Sequence, residues 1–361
     1  MIELLVGSAL MLFVIIAALS VYSKSNQISV DQQQYTEIQH DVRSAMYLVM
    51  RDARMAGIAL PEQFNMYAID GVDNEGVAVG GVRPDRLILM GNMDDPLLLQ
   101  IDTYGGAGTD GLALADGSFE QYPYLDEDYV NRIILILPNP AAACRLGEVR
   151  QIFSVTHPSG GTNEALTLNA GLLSTINLPS SRRLNLTERL LGTCADTTNY
   201  HGGTVIFVDV KEYWLDITGG MGLPAGTGYI GVGGVLYQTK NGVHNPVAQN
   251  IENFQVEYNG DINPVDGLLD GFVPWNNLWT LTQVSYIRQV RVWILGRTAN
   301  AFVSVSGRPA GNIYHYRRPA LTTHPVNAPG ATTDDLRRRF LLESTSNIRN
   351  LSLNIYNRGE R

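Results

Sequence analysis

MIELLVGSALMLFVIIAALSVYSKSNQISVDQQQYTEIQHDVRSAMYLVMRDARMAGI, residues 1–58, decides the fold. No proline falls between Met1 and Pro61, and the next glycine after Gly7 is Gly57. One continuous helix can therefore run from about Ile2 to Gly57, roughly 80 Å at ~1.5 Å per residue. Gly57 suits its C-terminal stop. The two halves differ. Leu4 to Ser23 carries no formal charge and is apolar nearly all round, and about 20 such residues match a bilayer core of ~30 Å. A cleaved secretory signal would start with a basic segment and end at a small-residue cleavage site. Here only Met1, Ile2 and Glu3 precede the run. In the second half, apolar residues recur at Tyr35, Ile38, Val42, Ala45, Met46, Val49, Ala53 and Ala56, the spacing of an amphipathic helix. Lys24 to Gln34, between the halves, is mostly polar. The first half is expected to seek lipid or other helices, and the second a globular domain.

Glu3 stands out at the edge of the apolar run. A carboxylate at the centre of a membrane helix costs about 2.5–3.5 kcal/mol on insertion scales. Glu3 is therefore either a functional charge or a residue of the headgroup layer.

Beyond the helix, strand signals dominate: Arg86–Met90, Ile133–Leu137, Val149–Val155, Ala165–Leu168, Val205–Asp216, Tyr229–Tyr237, Ile251–Tyr258 and Tyr286–Leu295. Alternation is plain in FQVEY and RQVRVWIL, and joints such as TYGGAGTDG and NGDINPVDG supply turns. The expected fold class is α+β: a long N-terminal helix packed on a β-rich antiparallel globular domain. Residues 1–23 form the hydrophobic half of the helix, 24–58 the amphipathic half and 59–361 the β-rich domain with loop insertions.

MIELLVGSALMLFVI resembles the N-terminus of type IV pilins and pseudopilins. Ile2, Glu3, Leu4 and Leu5 match the family's Ile-Glu-Leu-Leu tetrad. In that family the glutamate is the fifth mature residue and meets the N-terminal amine of a neighbouring subunit. The resemblance implies this assembly role for Glu3, and helix-core packing for Leu4, Leu5, Leu10, Phe13 and Ile16. Glu3 is third here and no leader precedes it, so the mature start is expected to differ from Met1. VRSAMYLVMRDARMAGI resembles the helix end of PilW-type minor pilins and GspJ-type pseudopilins, through Arg51, Asp52, Arg54, Ala56 and Gly57. Read by itself, that cluster is a solvated helix face with an ion pair worth ~0–1 kcal/mol. PDRLILMGN, VLYQTK, PVAQNIENFQVEYNGD, VSYIRQVRVWILGRT, HYRRPALTT and IRNLSL resemble later family segments in order. Residues from about 94 to 200 match poorly and are expected to vary.

The resemblance implies a structural subunit of a type IV pilus that aids filament initiation, assembly or tip presentation. A type II secretion pseudopilin, a major filament subunit, and an exported anchored enzyme or binding module are the alternatives. Expected partners are other pilins through the N-terminal helices, a pilus-tip adhesin, and the inner membrane before assembly. The final location is the extracellular pilus.

Other chemistry finds little support. A net charge of −9 over 361 residues disfavours nucleic acid, whose phosphates need basic patches. The basic run Arg337–Arg339 reads as solvated surface. The Gly106–Gly108–Gly111 and Gly226–Gly228–Gly231 spacings lack the strand-then-helix setting of a dinucleotide site. No HExxH, GxSxG or SxxK occurs, so no catalytic residue is assigned and no cofactor is expected beyond calcium. Asp261, Asn263, Asp266 and Asp270 place several oxygens in one loop. They would suit calcium or cap an ordinary turn. In an exported protein Cys144 and Cys194 would form one disulfide, with two separate thiols as the alternative. Trp275 and Trp279 flank a polar loop and read as an adhesive patch or as packing at the core edge.

Overall fold

The computed structural model describes residues 2–58, 60, 68–73, 84–94, 98–104, 111–115, 129–142, 148–156, 165–168, 197–216, 234–240, 243–262, 269–280, 283–284, 286–299 and 338–348. One helix, α1 (Ile2–Met55), spans 54 residues. Just past its end Gly57 adopts a left-handed φ of 82°, the conformation that glycine takes at a helix stop. The Gly57 amide donates to the Met90 carbonyl at 2.8 Å, and the Asn92 amide to the Ile58 carbonyl at 2.9 Å. The end of the helix is thereby stitched to the sheet.

Among the described residues thirteen strands follow: β1 (Ile69–Val72), β2 (Arg86–Gly91), β3 (Leu98–Tyr104), β4 (Gly111–Leu114), β5 (Ile133–Leu137), β6 (Glu148–Thr156), β7 (Ala165–Leu168), β8 (Thr204–Asp216), β9 (Gly234–Lys240), β10 (Val243–Gly260), β11 (Val273–Pro274), β12 (Ile287–Arg297) and β13 (Arg339–Asn347). Every pairing is antiparallel. The fold is α+β, one long helix against a large antiparallel sheet.

The strands make two bodies that share β8. The main sheet runs β1-β2-β8-β9-β10-β12-β13. Its core residues Phe254, Val256, Tyr258, Val290, Val292 and Ile294 share one cluster with the buried helix stripe. At its other end β8 pairs with both β3 and β5. The order β8-β3-β4-β7-β6-β5 then returns to β8, closing a six-stranded ring that has no open edge. The ring has its own core, with Tyr129, Ile134, Ile152, Leu166, Tyr200 and Phe207 buried. Most of this barrel comes from the stretch read above as loop insertions. Strands β5, β6 and β7 there lie where the sequence signals put them, and β3 and β4 are the observed difference. Each is short, and only closure on β8 makes them a core.

On the main sheet's other face, charges are buried in pairs. Arg339 bonds Glu252 at 2.5 Å, with side chains 4% and 1% exposed. Arg291 bonds Glu257 and stacks between the Phe272 and Trp293 rings, at 4.1 and 4.7 Å. The reading of Arg337–Arg339 as solvated surface therefore fails at Arg339, because β13 carries that side chain onto a buried carboxylate. Arg337 lies outside the described residues. Trp275 is buried edge-to-face against Tyr258 and Trp279, with ring centroids 5.0 and 5.1 Å apart. It is core-edge packing.

Candidate assembly helix and its buried seat

Helix α1 divides where its sequence does. Every residue from Ile2 to Val30 is exposed, about 43 Å of helix. Within this arm Leu4, Leu5, Leu10, Phe13 and Ile16 are 80%, 69%, 64%, 74% and 57% exposed. The helix is long and apolar enough to cross a membrane, and its most apolar window is entirely unburied. Isolated large apolar side chains on a surface are ordinary, but a continuous apolar cylinder is not. Glu3 sits in the first turn, where a carboxylate also suits the positive end of the helix dipole.

From Ile38 the helix is seated. Ile38, Val42, Ala45, Met46, Val49, Met50, Ala53 and Ala56 are buried, one stripe at three-and-four spacing. The seat is close. A side chain on Gly296 in β12 would meet Val42 Cγ2 at 2.7 Å and Ile38 Cγ2 at 3.1 Å. Only glycine lets the helix lie this near the strand.

The stripe contains one charge, Asp52, which is 0% exposed. Its Oδ1 accepts from Arg51 Nε and Nη2 at 3.0 and 2.9 Å. Its Oδ2 accepts from the Tyr213 hydroxyl at 2.6 Å and Gln238 Nε2 at 2.9 Å, with Lys211 Nζ at 3.3 Å. Lys211 and Tyr213 lie two apart on β8 and so share a side; Gln238 comes from the neighbouring strand β9. Lys211 Nζ also bonds Asp94 Oδ1 at 2.6 Å, and Lys240 Nζ lies 2.8 Å from Asp94 Oδ2. Lys240 and Arg132 approach Asp209 Oδ1 at 3.5 and 3.6 Å. Asp209 Oδ2 accepts the Met93 and Asp94 amides at 3.2 and 3.1 Å. A chain of alternating charge thus ties the helix to β8, β9 and, through Arg132 beside β5, to the barrel.

The protonation states follow from these contacts. Burial and the Asp52 carboxylate push the Tyr213 phenol far up, so it stays a donor. Burial would raise Asp94, but hydrogen bonds from Lys211 and Lys240 outweigh it and hold that carboxyl below its ordinary value. The Asp52 bond raises Arg51 further. The solvated-face reading holds for Arg51, whose side chain is 44% exposed, and fails for Asp52. Asp52 is the centre of a desolvated network, and sequence reading missed Lys211, Tyr213 and Gln238. The available signal was Asp52's place in the stripe, three after Val49 and four before Ala56.

Cys144, Cys194, Asn263 and Asp266 lie outside the described residues. Asp270 Oδ2 accepts the Ile262 amide at 2.9 Å, and the Asp270 amide donates to the Gly260 carbonyl at 3.0 Å, the usual work of a turn aspartate. Among the described residues no group of three His, Cys, Asp or Glu could hold a metal.

No family model matches the sequence, and no curated protein matches it. Among solved structures the chain is similar to a type IV-like pilin from Thermus thermophilus, at 17% identity over 40% of this chain and 69% of that one, with a TM-score of 0.21. So loose a superposition carries no weight for fold or role, which rest on the helix and sheet themselves.

Proposed function

We propose that the chain is a membrane-held structural subunit of a type IV pilus, of the PilW-like minor type that its sequence resembles, and that its work is assembly. The observation that carries this reading is the divided helix: a bare apolar arm rigidly continuous with a root buried in the sheet domain. In a bilayer or among neighbouring helices, the arm's apolar surface leaves water. The subunit can therefore pass from inner membrane to filament core without refolding. A simple anchor would need neither the polar collar from Lys24 to Gln34 nor a charge-locked seat. The sheet and barrel stay outside, where they meet neighbouring pilins or a tip adhesin.

Mass spectrometry of sheared extracellular filaments tests the proposal. The expected result is the chain present with a processed, methylated N-terminal amine. A chain confined to the inner membrane with an unprocessed N-terminus would overturn it and favour an anchored binding module.

A further inference from the structure

A bare strand edge is a row of amides and carbonyls that another chain can pair. Two edges of the main sheet are defended. β1 is only four residues long. β10 runs past β12, which pairs it from Ile251 onward. That overhang carries Pro246, two register shifts and Asn250 at a φ of 57°, devices that break an edge. β13 has none of them. Its nine residues pair β12 in unbroken register, with no proline or lysine among them. Among the described residues no strand lies on its outer side. The Ile348 amide donates to the Arg288 carbonyl and the Thr298 amide to the Arg338 carbonyl, each at 2.9 Å. Hydrogen-bonded pairs alternate along an antiparallel ladder. The even-numbered residues of β13 therefore bond β12, and Leu341, Glu343 and Thr345 turn their amides and carbonyls outward.

We infer that β13 is a docking edge, and that its occupant is an extended segment of a different filament subunit, added to the sheet as one more strand. The inference rests on the filament reading and deepens it. An outward row of backbone groups is complementary to extended backbone. The flanking side chains narrow the sequence it takes. On one face Phe340 and Leu342 pack against the core that holds the helix, so the added strand carries an apolar residue beside them. On the other face Leu341 packs on Trp293 and Leu295, and Glu343 is 52% exposed with Arg291 3.8 Å away. Arg291 already bonds Glu257, which leaves Glu343 able to pair a lysine or arginine across the strands. The arm rules out a twofold pairing of β13 with itself. Antiparallel copies of one edge strand are related by an axis perpendicular to the sheet. The helix packed on the sheet face would then point opposite ways in the two copies, and one membrane or filament core cannot take both arms.

Residue-level hydrogen exchange tests this on the full chain, in sheared filaments and in detergent. The Leu341, Glu343 and Thr345 amides should exchange at least about a hundredfold more slowly in filaments, while the Phe340 and Leu342 amides, already bonded to β12, change little. Thr345→Pro removes one outward amide and no bond to β12. It should lower recovery in filaments by about tenfold with the unfolding midpoint kept, and Thr345→Ala should be recovered as wild type. Glu343→Lys should lower recovery about threefold or more. Equal exchange of the outward amides in filaments and detergent overturns the docking edge and leaves the filament reading standing. So does slow exchange already present in detergent, which means that the chain fills its own edge. Recovery of Thr345→Pro equal to that of Thr345→Ala does the same, and if Thr345→Pro lowers the midpoint, exchange alone decides. Unchanged recovery of Glu343→Lys overturns the basic residue assigned to the partner. Absence of the wild-type chain from filaments removes both readings.

Discussion

Replacing Asp52 with alanine should do far more damage than a helix-surface substitution. The side chain is 0% exposed and accepts from Arg51, Tyr213 and Gln238, with Lys211 beside it. Its loss strands two buried donors, Tyr213 and Lys211, and the half-buried Gln238. Lys211 keeps Asp94 at 2.6 Å, which softens the loss, while Tyr213 and Gln238 keep each other, at 2.6 Å. Removing one partner of a buried ion pair costs about 3–5 kcal/mol, roughly a hundred- to a few-thousand-fold in the folding constant. The assay is urea unfolding of the full chain in detergent, followed by tryptophan fluorescence. Trp214 and Trp293 lie in the main sheet, so the signal reports the body that seats the helix. Asp52→Asn should fall between alanine and wild type, since its amide oxygen still accepts from Tyr213. Replacing Asp52 and Lys211 together with leucines should recover part of the loss, as paired charges exchanged for packed apolar groups often do. A loss below about 1 kcal/mol for Asp52→Ala, the range of a solvated pair, would refute the account of the seat.

Three other outcomes are expected. Asp94 is held below its ordinary pKa by Lys211 and Lys240. Its stabilising effect is therefore complete above about pH 4 and is lost as pH falls through the depressed value, and Asp94→Asn should flatten the acid limb of a stability–pH curve. Gly296→Val would drive a side chain into Val42 and Ile38; overpacking of this kind costs about 1–3 kcal/mol, and limited proteolysis should show earlier cleavage near the helix root. Because no residue from Ile2 to Val30 is buried, a chain beginning at Asp31 should keep the full-length unfolding free energy within about 0.5 kcal/mol while partitioning into the aqueous phase of a detergent extraction.

The helix was readable because its information is local. Absence of proline, two glycines at meaningful places and a stripe at helical spacing settle it residue by residue, and Gly57 stops it as expected. Strands β2, β5, β6, β7, β8, β10 and β12 were visible for the same reason, as apolar or alternating runs. β13 was not: RFLLESTSN opens on a basic run and closes on hydroxyl residues, so no alternation marks it. The barrel was invisible for a different reason. Its closure depends on β8 pairing with β3 and β5, which come from distant parts of the chain, and no periodicity encodes that choice. The seat lay between these cases. Helical spacing places Asp52 among buried alanines, but the identity of its partners on β8 and β9 is a tertiary fact.

An ionic seat does something for this helix that an apolar one would not. A stripe of Ala, Val, Ile and Met tolerates small rotations, because one aliphatic contact substitutes for another at little cost. Asp52 does not tolerate them. A slip of one residue turns the helix by about 100° and brings Arg51 or Ala53 to face Lys211, leaving that ammonium beside a like charge or an apolar methyl. Among the alternatives available to a buried helix, only the observed rotation satisfies Lys211, Tyr213 and Gln238 at once. A buried polar group that selects one register at some expense of stability is the best-attested use of such groups. Here the register has a consequence at a distance. The arm is one unbroken helix with the seat, so fixing rotation at Asp52 fixes the direction in which Glu3 and Lys24 project from the domain. On the proposed assembly role the arm's direction must be set before it meets a neighbour, and a seat built from charge sets it.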